Sequence, residues 1–101
     1  RKAIESWDSS KRVALLASGG LSHVVIDEDI DAMVIDGLKN KKPELLFQLP
    51  RQKLTGGTSE ILNWVALAGA MEDRDLKYLE YVTPYRSPAA TGCGMGFAYW
   101  Q

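Results

Sequence analysis

Val13-Ala14-Leu15-Leu16-Ala17 is an apolar run that stops at Ser18-Gly19-Gly20. A run this short and this uniformly apolar fits a strand buried on both faces, and a strand covered on both faces calls for layers of helix over sheet. The chain has 101 residues, of which 46% are hydrophobic and 25% charged, enough for one small core and too few for two. That composition excludes disorder, a collagen-like repeat and a membrane span.

Further elements follow from the spacing. Arg1 to Ser10 reads as the tail of a helix with Ala3, Ile4 and Trp7 on one side, more than as the start of a domain. Asp27-Glu28-Asp29 opens a helix whose stripe is Ile30, Met33, Val34 and Leu38, and Lys39, Lys41 and Lys42 close it, acids first and lysines last as the helix dipole favours. Pro43 ends it, and Glu44 to Leu49 is a further short helical turn before Pro50. After Gly56-Gly57, Ile61, Leu62, Val65, Ala66, Ala68 and Gly69 mark a helix with a broad face of small residues. Tyr78 to Thr83 reads as a strand, Pro84 to Thr91 as a loop and Cys93 to Trp100 as a final strand. The order helix, strand, helix, helix, strand, strand predicts an α/β or α+β layer structure, of which α/β is the one expected here.

Function classes narrow by counting. With 12 basic and 13 acidic residues the net charge is −1, which leaves no electrostatic footprint for nucleic acid. One histidine and one cysteine cannot complete a zinc site, nor the site of two histidines and one carboxylate that holds non-haem iron, so either would need ligands from outside this chain. No apolar signal segment is present, and the chain is expected to be cytoplasmic. It opens at Arg1 without an initiator Met, which reads as a piece of something longer.

Ser18-Gly19-Gly20-Leu21-Ser22-His23 is the sharpest local feature, because two glycines deliver the only histidine just past the expected strand end. Alone, it reads first as a plain glycine turn with a half-buried, hydrogen-bonded histidine. Ser18 and Ser22 lie in no G-x-S-x-G elbow. Glu60 falls in the first turn of the small-residue helix, where a carboxylate stabilises the dipole. Position 57 is Gly, so no capping box accounts for it, and its carboxylate is free to serve as a ligand. Asp27, Asp29 and Asp31 have the alternation of a calcium loop, but Ala32 and Leu38 stand where Gly and Glu are required, leaving a solvated helix start. Gly92-Cys93-Gly94-Met95-Gly96 fails as a phosphate loop at Phe97 and reads as close strand packing, with Cys93 a small packed side chain.

Taken in order, Ser18-Gly19-Gly20-Leu21-Ser22-His23, then Glu60-Ile61-Leu62-Asn63-Trp64 with Ala68-Gly69-Ala70-Met71, then Thr91-Gly92, resemble the C-terminal part of the class III extradiol ring-cleavage dioxygenases, the family of protocatechuate 4,5-dioxygenase catalytic subunit and gallate dioxygenase. The resemblance covers nearly the whole chain. It implies that residues 1–101 are the C-terminal part of a single catalytic domain, with the N-terminal part, and the two iron-binding histidines, outside this chain. It further implies that His23 is the active-site acid/base, that Glu60 is the carboxylate ligand of Fe(II), and that Gly19, Gly20 and Ser22 border the substrate. The partners implied are a catechol-type substrate, dioxygen, the N-terminal portion of the same protein, and a second copy or a small accessory subunit. The stretch between His23 and the helix carrying Asp31 is shorter than in the aromatic-acid enzymes, which leaves the substrate class open. The alternative is a non-catalytic binding or assembly module of the same fold.

Overall fold

A computed structural model describes residues 1–101. Its elements run α1 (Lys2–Glu5), β1 (His23–Val25), α2 (Glu28–Lys39), α3 (Pro43–Phe47), α4 (Ile61–Ala70), β2 (Leu76–Val82), β3 (Thr91–Cys93) and β4 (Met95–Trp100), with 3₁₀ turns at Arg51–Lys53 and Gly56–Glu60. The fold is a small mixed α/β domain, as the element order predicts, built on two separate two-stranded antiparallel sheets, β1 with β3 and β2 with β4.

Helix α2 forms one wall of the core. The Asp27 side chain accepts from the Ile30 N–H at 3.2 Å, satisfying a donor that the first turn leaves free, and Glu28 and Asp29 follow where the dipole favours anions. Its buried stripe is Ile30, Val34 and Leu38, and Met33 packs at its edge. These residues meet Leu21, Leu49, Ile61 and Trp64 in one core. From the sheet side the core is covered by Leu79, Tyr81, Ala98 and Trp100, alternate residues of β2 and β4 that share one face.

The final strand differs from its expected form. It starts at Thr91, and the chain changes partner at Gly94: β3 pairs with β1 in the register His23↔Cys93, whereas β4 pairs with β2 in the register Leu79↔Ala98. The reason lies at Gly94, where a Cβ would overlap the Asp31 carboxylate; that carboxylate fills the bend between the two sheets. Strand β1 itself is an element the periodicity did not suggest, since only His23, Val24 and Val25 pair.

Two expectations are overturned. Val13 to Ala17 is not a buried strand: no backbone hydrogen bond involves these residues, and Leu16 is 85% exposed. A strand needs a neighbour for its N–H and C=O groups, and this run pairs with no strand of either sheet. The N-terminal helix stops at Glu5, short of Ser10, because Ser6 and Trp7 turn back onto it and Trp7 remains exposed. On α4, Ile61 and Trp64 carry the burial while Leu62 and Ala66 face outward, so the inward face is narrower than its small residues suggest. No helix is long and apolar enough to cross a membrane.

Candidate active site

The loop from Ser18 to His23 and the turn Gly56–Glu60 meet at the start of α4, and three side chains from one turn of that helix grip successive loop residues. Asn63 donates from Nδ2 to the Ser18 carbonyl at 2.8 Å, Trp64 donates from Nε1 to the Gly19 carbonyl at 3.0 Å, and Glu60 accepts at Oε2 from the Gly20 N–H at 3.0 Å. Positions 60, 63 and 64 lie on one face by the i, i+3, i+4 rule, which is why a single turn can hold an extended segment.

The approach is close enough to require glycine. A Cβ on Gly19 would stand 2.5 Å from Glu60 Oε2, and the backbone there has φ +131°, a conformation costly for any other residue. A Cβ on Gly20 would stand 2.7 Å from Cys93 Sγ and 3.1 Å from His23 Cε1. A third glycine, Gly57, lies against the imidazole itself, its Cβ position 2.7 Å from His23 Cβ and 2.8 Å from Cγ.

His23 and Glu60 are brought together. His23 Nε2 lies 3.1 Å from Glu60 Oε2, and Nδ1 lies 2.8 Å from the Leu21 carbonyl oxygen. Both ring nitrogens face acceptors, so both contacts are hydrogen bonds only while the ring carries two protons. The His23 N–H donates to Thr58 Oγ1 at 2.9 Å, tying the strand to the 3₁₀ turn. Glu60 Oε1 accepts no hydrogen bond from the protein. The site is open, with 24% of the His23 side chain and 42% of the Glu60 side chain exposed. A cleft of about 570 Å³ adjoins it, lined by Gly19, Gly20 and His23 on one side and by Trp64, Cys93 and Phe97 on the other. Burial, then the Glu60 and Asp31 carboxylates, pushes the Cys93 thiol above its ordinary pKa, which keeps it a neutral packing group.

Ser22, expected beside the substrate, turns the other way. It is 1% exposed, and its hydroxyl donates to Asp31 Oδ2 at 2.7 Å and accepts from the Asp27 N–H at 2.9 Å. Asp31 is in turn fully buried, which corrects its reading as part of a solvated helix start. Position 31 stands three and seven residues before Val34 and Leu38 on the buried stripe, and an acid in that register was the signal that could have found it. Thr58, Asn63 and Gly57 carried no comparable signal, since each contacts the loop only through the tertiary fold, and Tyr81 reaches Asp31 in the same way.

No three His, Cys, Asp or Glu side chains converge to hold a metal ion. Glu60, with one carboxylate oxygen free of protein bonds, fits such an ion as one corner of a ligand set, the hard oxygen donor of a mixed oxygen and nitrogen site.

The glycines set a carboxylate and an imidazole against each other where the loop before β1 meets the start of α4, on a mixed α/β scaffold. The chain belongs to the family described as the catalytic LigB subunit of aromatic ring-opening dioxygenase, whose pattern matches residues 1–96. Among curated proteins it is similar to gallate dioxygenase of Pseudomonas putida, with 30% identity over 102 aligned positions that cover 90% of this chain. The chain spans 30% of that relative's length. No solved structure matches it. The class III extradiol resemblance read from the motifs is thereby borne out.

Proposed function

We propose that the protein carrying this chain opens a catechol-type ring beside its diol with dioxygen and non-haem Fe(II), that Glu60 is the carboxylate ligand and that His23 is the acid/base. The observation that supports this most is the 3.1 Å approach of His23 Nε2 to Glu60 Oε2 within a family of ring-opening dioxygenases. A partly exposed contact between an imidazole and a carboxylate contributes at most about 1 kcal/mol to folding, too little for stability to explain three glycines held against these two side chains.

Fe(II), held in part by Glu60, would supply the Lewis-acid and redox chemistry that brings a catecholate and dioxygen to react. Everything else is work for the side chains. Glu60 would bind through Oε1, the oxygen without a protein partner, while the Gly20 N–H holds Oε2 and fixes the plane of the carboxylate. At His23 the Leu21 carbonyl keeps a proton on Nδ1, which leaves Nε2 as the atom that takes the proton of a substrate hydroxyl and returns it later in the reaction. Gly19 and Gly20 offer backbone without side chains to the cleft, so a flat ring can lie against them. Ser22 contributes from behind, through the backbone that carries His23.

The two histidine ligands, the substrate's identity and a covering subunit belong to the parts of the protein beyond this chain. The test is anaerobic reconstitution of the full gene product with Fe(II), followed by a panel of catechols monitored for oxygen uptake and ring-opened product. We expect turnover with at least one catechol, abolished by chelation. Failure to bind iron at all would overturn the reading and favour the non-catalytic assembly module.

A further inference from the structure

Asp31 has no catalytic or binding role in the reading above, yet it is the one fully buried acidic side chain of the chain. A carboxylate withdrawn from water is costly unless its oxygens are satisfied, and no cation lies within ion-pair distance of it. Three donors satisfy it: the Ser22 N–H at 2.8 Å, the Ser22 hydroxyl at 2.7 Å and the Tyr81 hydroxyl at 2.6 Å. Two of the three come from the residue immediately before His23. Gly94 belongs to the same device, since a Cβ there would overlap the carboxylate, and its own backbone brackets the segment by accepting from the Leu21 N–H at 2.7 Å and donating to the Ser22 carbonyl at 2.8 Å.

The chain of contacts then runs into the site. Ser22 is clamped on both its N–H and its hydroxyl, so the peptide planes on either side of it are fixed. One of those planes carries the Leu21 carbonyl, the oxygen that faces His23 Nδ1 at 2.8 Å. The other leads into His23, whose N–H is held by Thr58. Rotation of the Leu21–Ser22 peptide would remove the partner of Nδ1 and free the ring to change its protonated nitrogen.

We propose that Asp31 is a positioning residue for His23, its buried carboxylate fixing the Leu21–Ser22 backbone so that the Leu21 carbonyl orients the imidazole with Nε2 turned to the Glu60 side, where proton transfer is proposed. This rests on the acid/base role given to His23 above, and one experiment separates the two. In the full gene product, Asp31→Asn is compared with the unaltered protein for kcat, KM and iron content, and for the rate at which diethylpyrocarbonate labels His23, read by mass spectrometry of the peptide that contains it. The amide keeps the shape but replaces one acceptor with a donor that faces the hydroxyls or the N–H. We expect kcat to fall about 10- to 100-fold, the range typical of lost outer-shell partners, with KM and iron content unchanged, and labelling of His23 to accelerate several-fold. Unchanged kcat together with unchanged labelling overturns the positioning role. If the unaltered protein turns over no catechol, the proposed reaction falls while the labelling rate still decides whether Asp31 holds His23. Should Asp31→Asn fail to fold, Ser22→Ala, which removes one leg of the clamp, is expected to accelerate labelling in the same direction, and its failure to do so is equally fatal.

Discussion

At the scale of single residues, the site is made by what its glycines leave out. Gly57 has an ordinary backbone conformation, so Gly57→Ala introduces little strain of its own and places one methyl group where the His23 side chain stands, 2.7 Å from its Cβ. We expect that variant to keep its iron and its unfolding midpoint within a few degrees while kcat drops at least several-fold. Equal kcat in the two proteins would mean that the ring position does not matter to the reaction. Gly19→Ala is the harsher change, because the new Cβ meets the Glu60 carboxylate on a backbone at φ +131°. Strain of this kind costs on the order of 1–3 kcal/mol. Here the expected outcome is a lowered midpoint in denaturant and weakened iron retention, read by titration with a chelator. Trp64→Phe removes the Nε1–H bond to the Gly19 carbonyl and also the part of the buried indole that packs against Gly96, so it is expected to cost more than the roughly 1 kcal/mol of the bond alone, read as a lowered midpoint in denaturant.

At the scale of elements, what was legible in the sequence and what was not divide on a physical line. Helices α2 and α4 announce themselves because their burial repeats along the chain and their ends carry local signals, the Asp27 cap and Pro43 for α2 and the glycine pair ahead of α4. The strands were harder. Val13 to Ala17 has a strand's composition but no partner, whereas His23 to Val25 has a partner and too few residues to show a period. Strand identity is a property of pairing, and pairing is not local. The same division holds in the site: His23, Glu60, Gly19 and Gly20 stand in motifs, while Asp31 reaches Ser22 from nine residues away and Tyr81 reaches Asp31 from fifty. One element-level prediction concerns pH. The bond from Lys53, with help from the Ile30 N–H, holds the Asp27 carboxyl below its ordinary pKa, although partial burial opposes it. A carboxyl whose folded pKa is lowered contributes stability that is present above its unfolded value and is lost as pH falls through the folded one. Lys53→Met is therefore expected to move the onset of acid unfolding of α2 to higher pH, followed by far-UV circular dichroism. An unchanged onset would show that the ion pair does not support the cap.

At the scale of the whole molecule, the fold leaves much apolar surface uncovered. Only 12 of 101 residues are buried, and Leu16, Val24 and Phe47 are 85%, 75% and 79% exposed. The outer face of β2 and β4 carries Tyr78, stacked on Tyr99, together with Phe97 and Met95. Two-stranded sheets are marginal without a cover, and contiguous apolar patches on soluble proteins mark surfaces that bind something. We expect the isolated chain to self-associate or to bind a hydrophobic dye, and the full gene product to do neither to the same degree. A monodisperse, dye-negative chain would show that this surface needs no cover. Above all stands the division of labour between the two residues that the glycines bring together. The most direct measurement is iron content and oxygen uptake of His23→Ala and Glu60→Ala side by side in the full gene product. We expect His23→Ala to retain iron and lose turnover, and Glu60→Ala to lose iron and turnover together. Retention of iron by Glu60→Ala, or undiminished oxygen uptake by His23→Ala, would contradict the roles assigned to them.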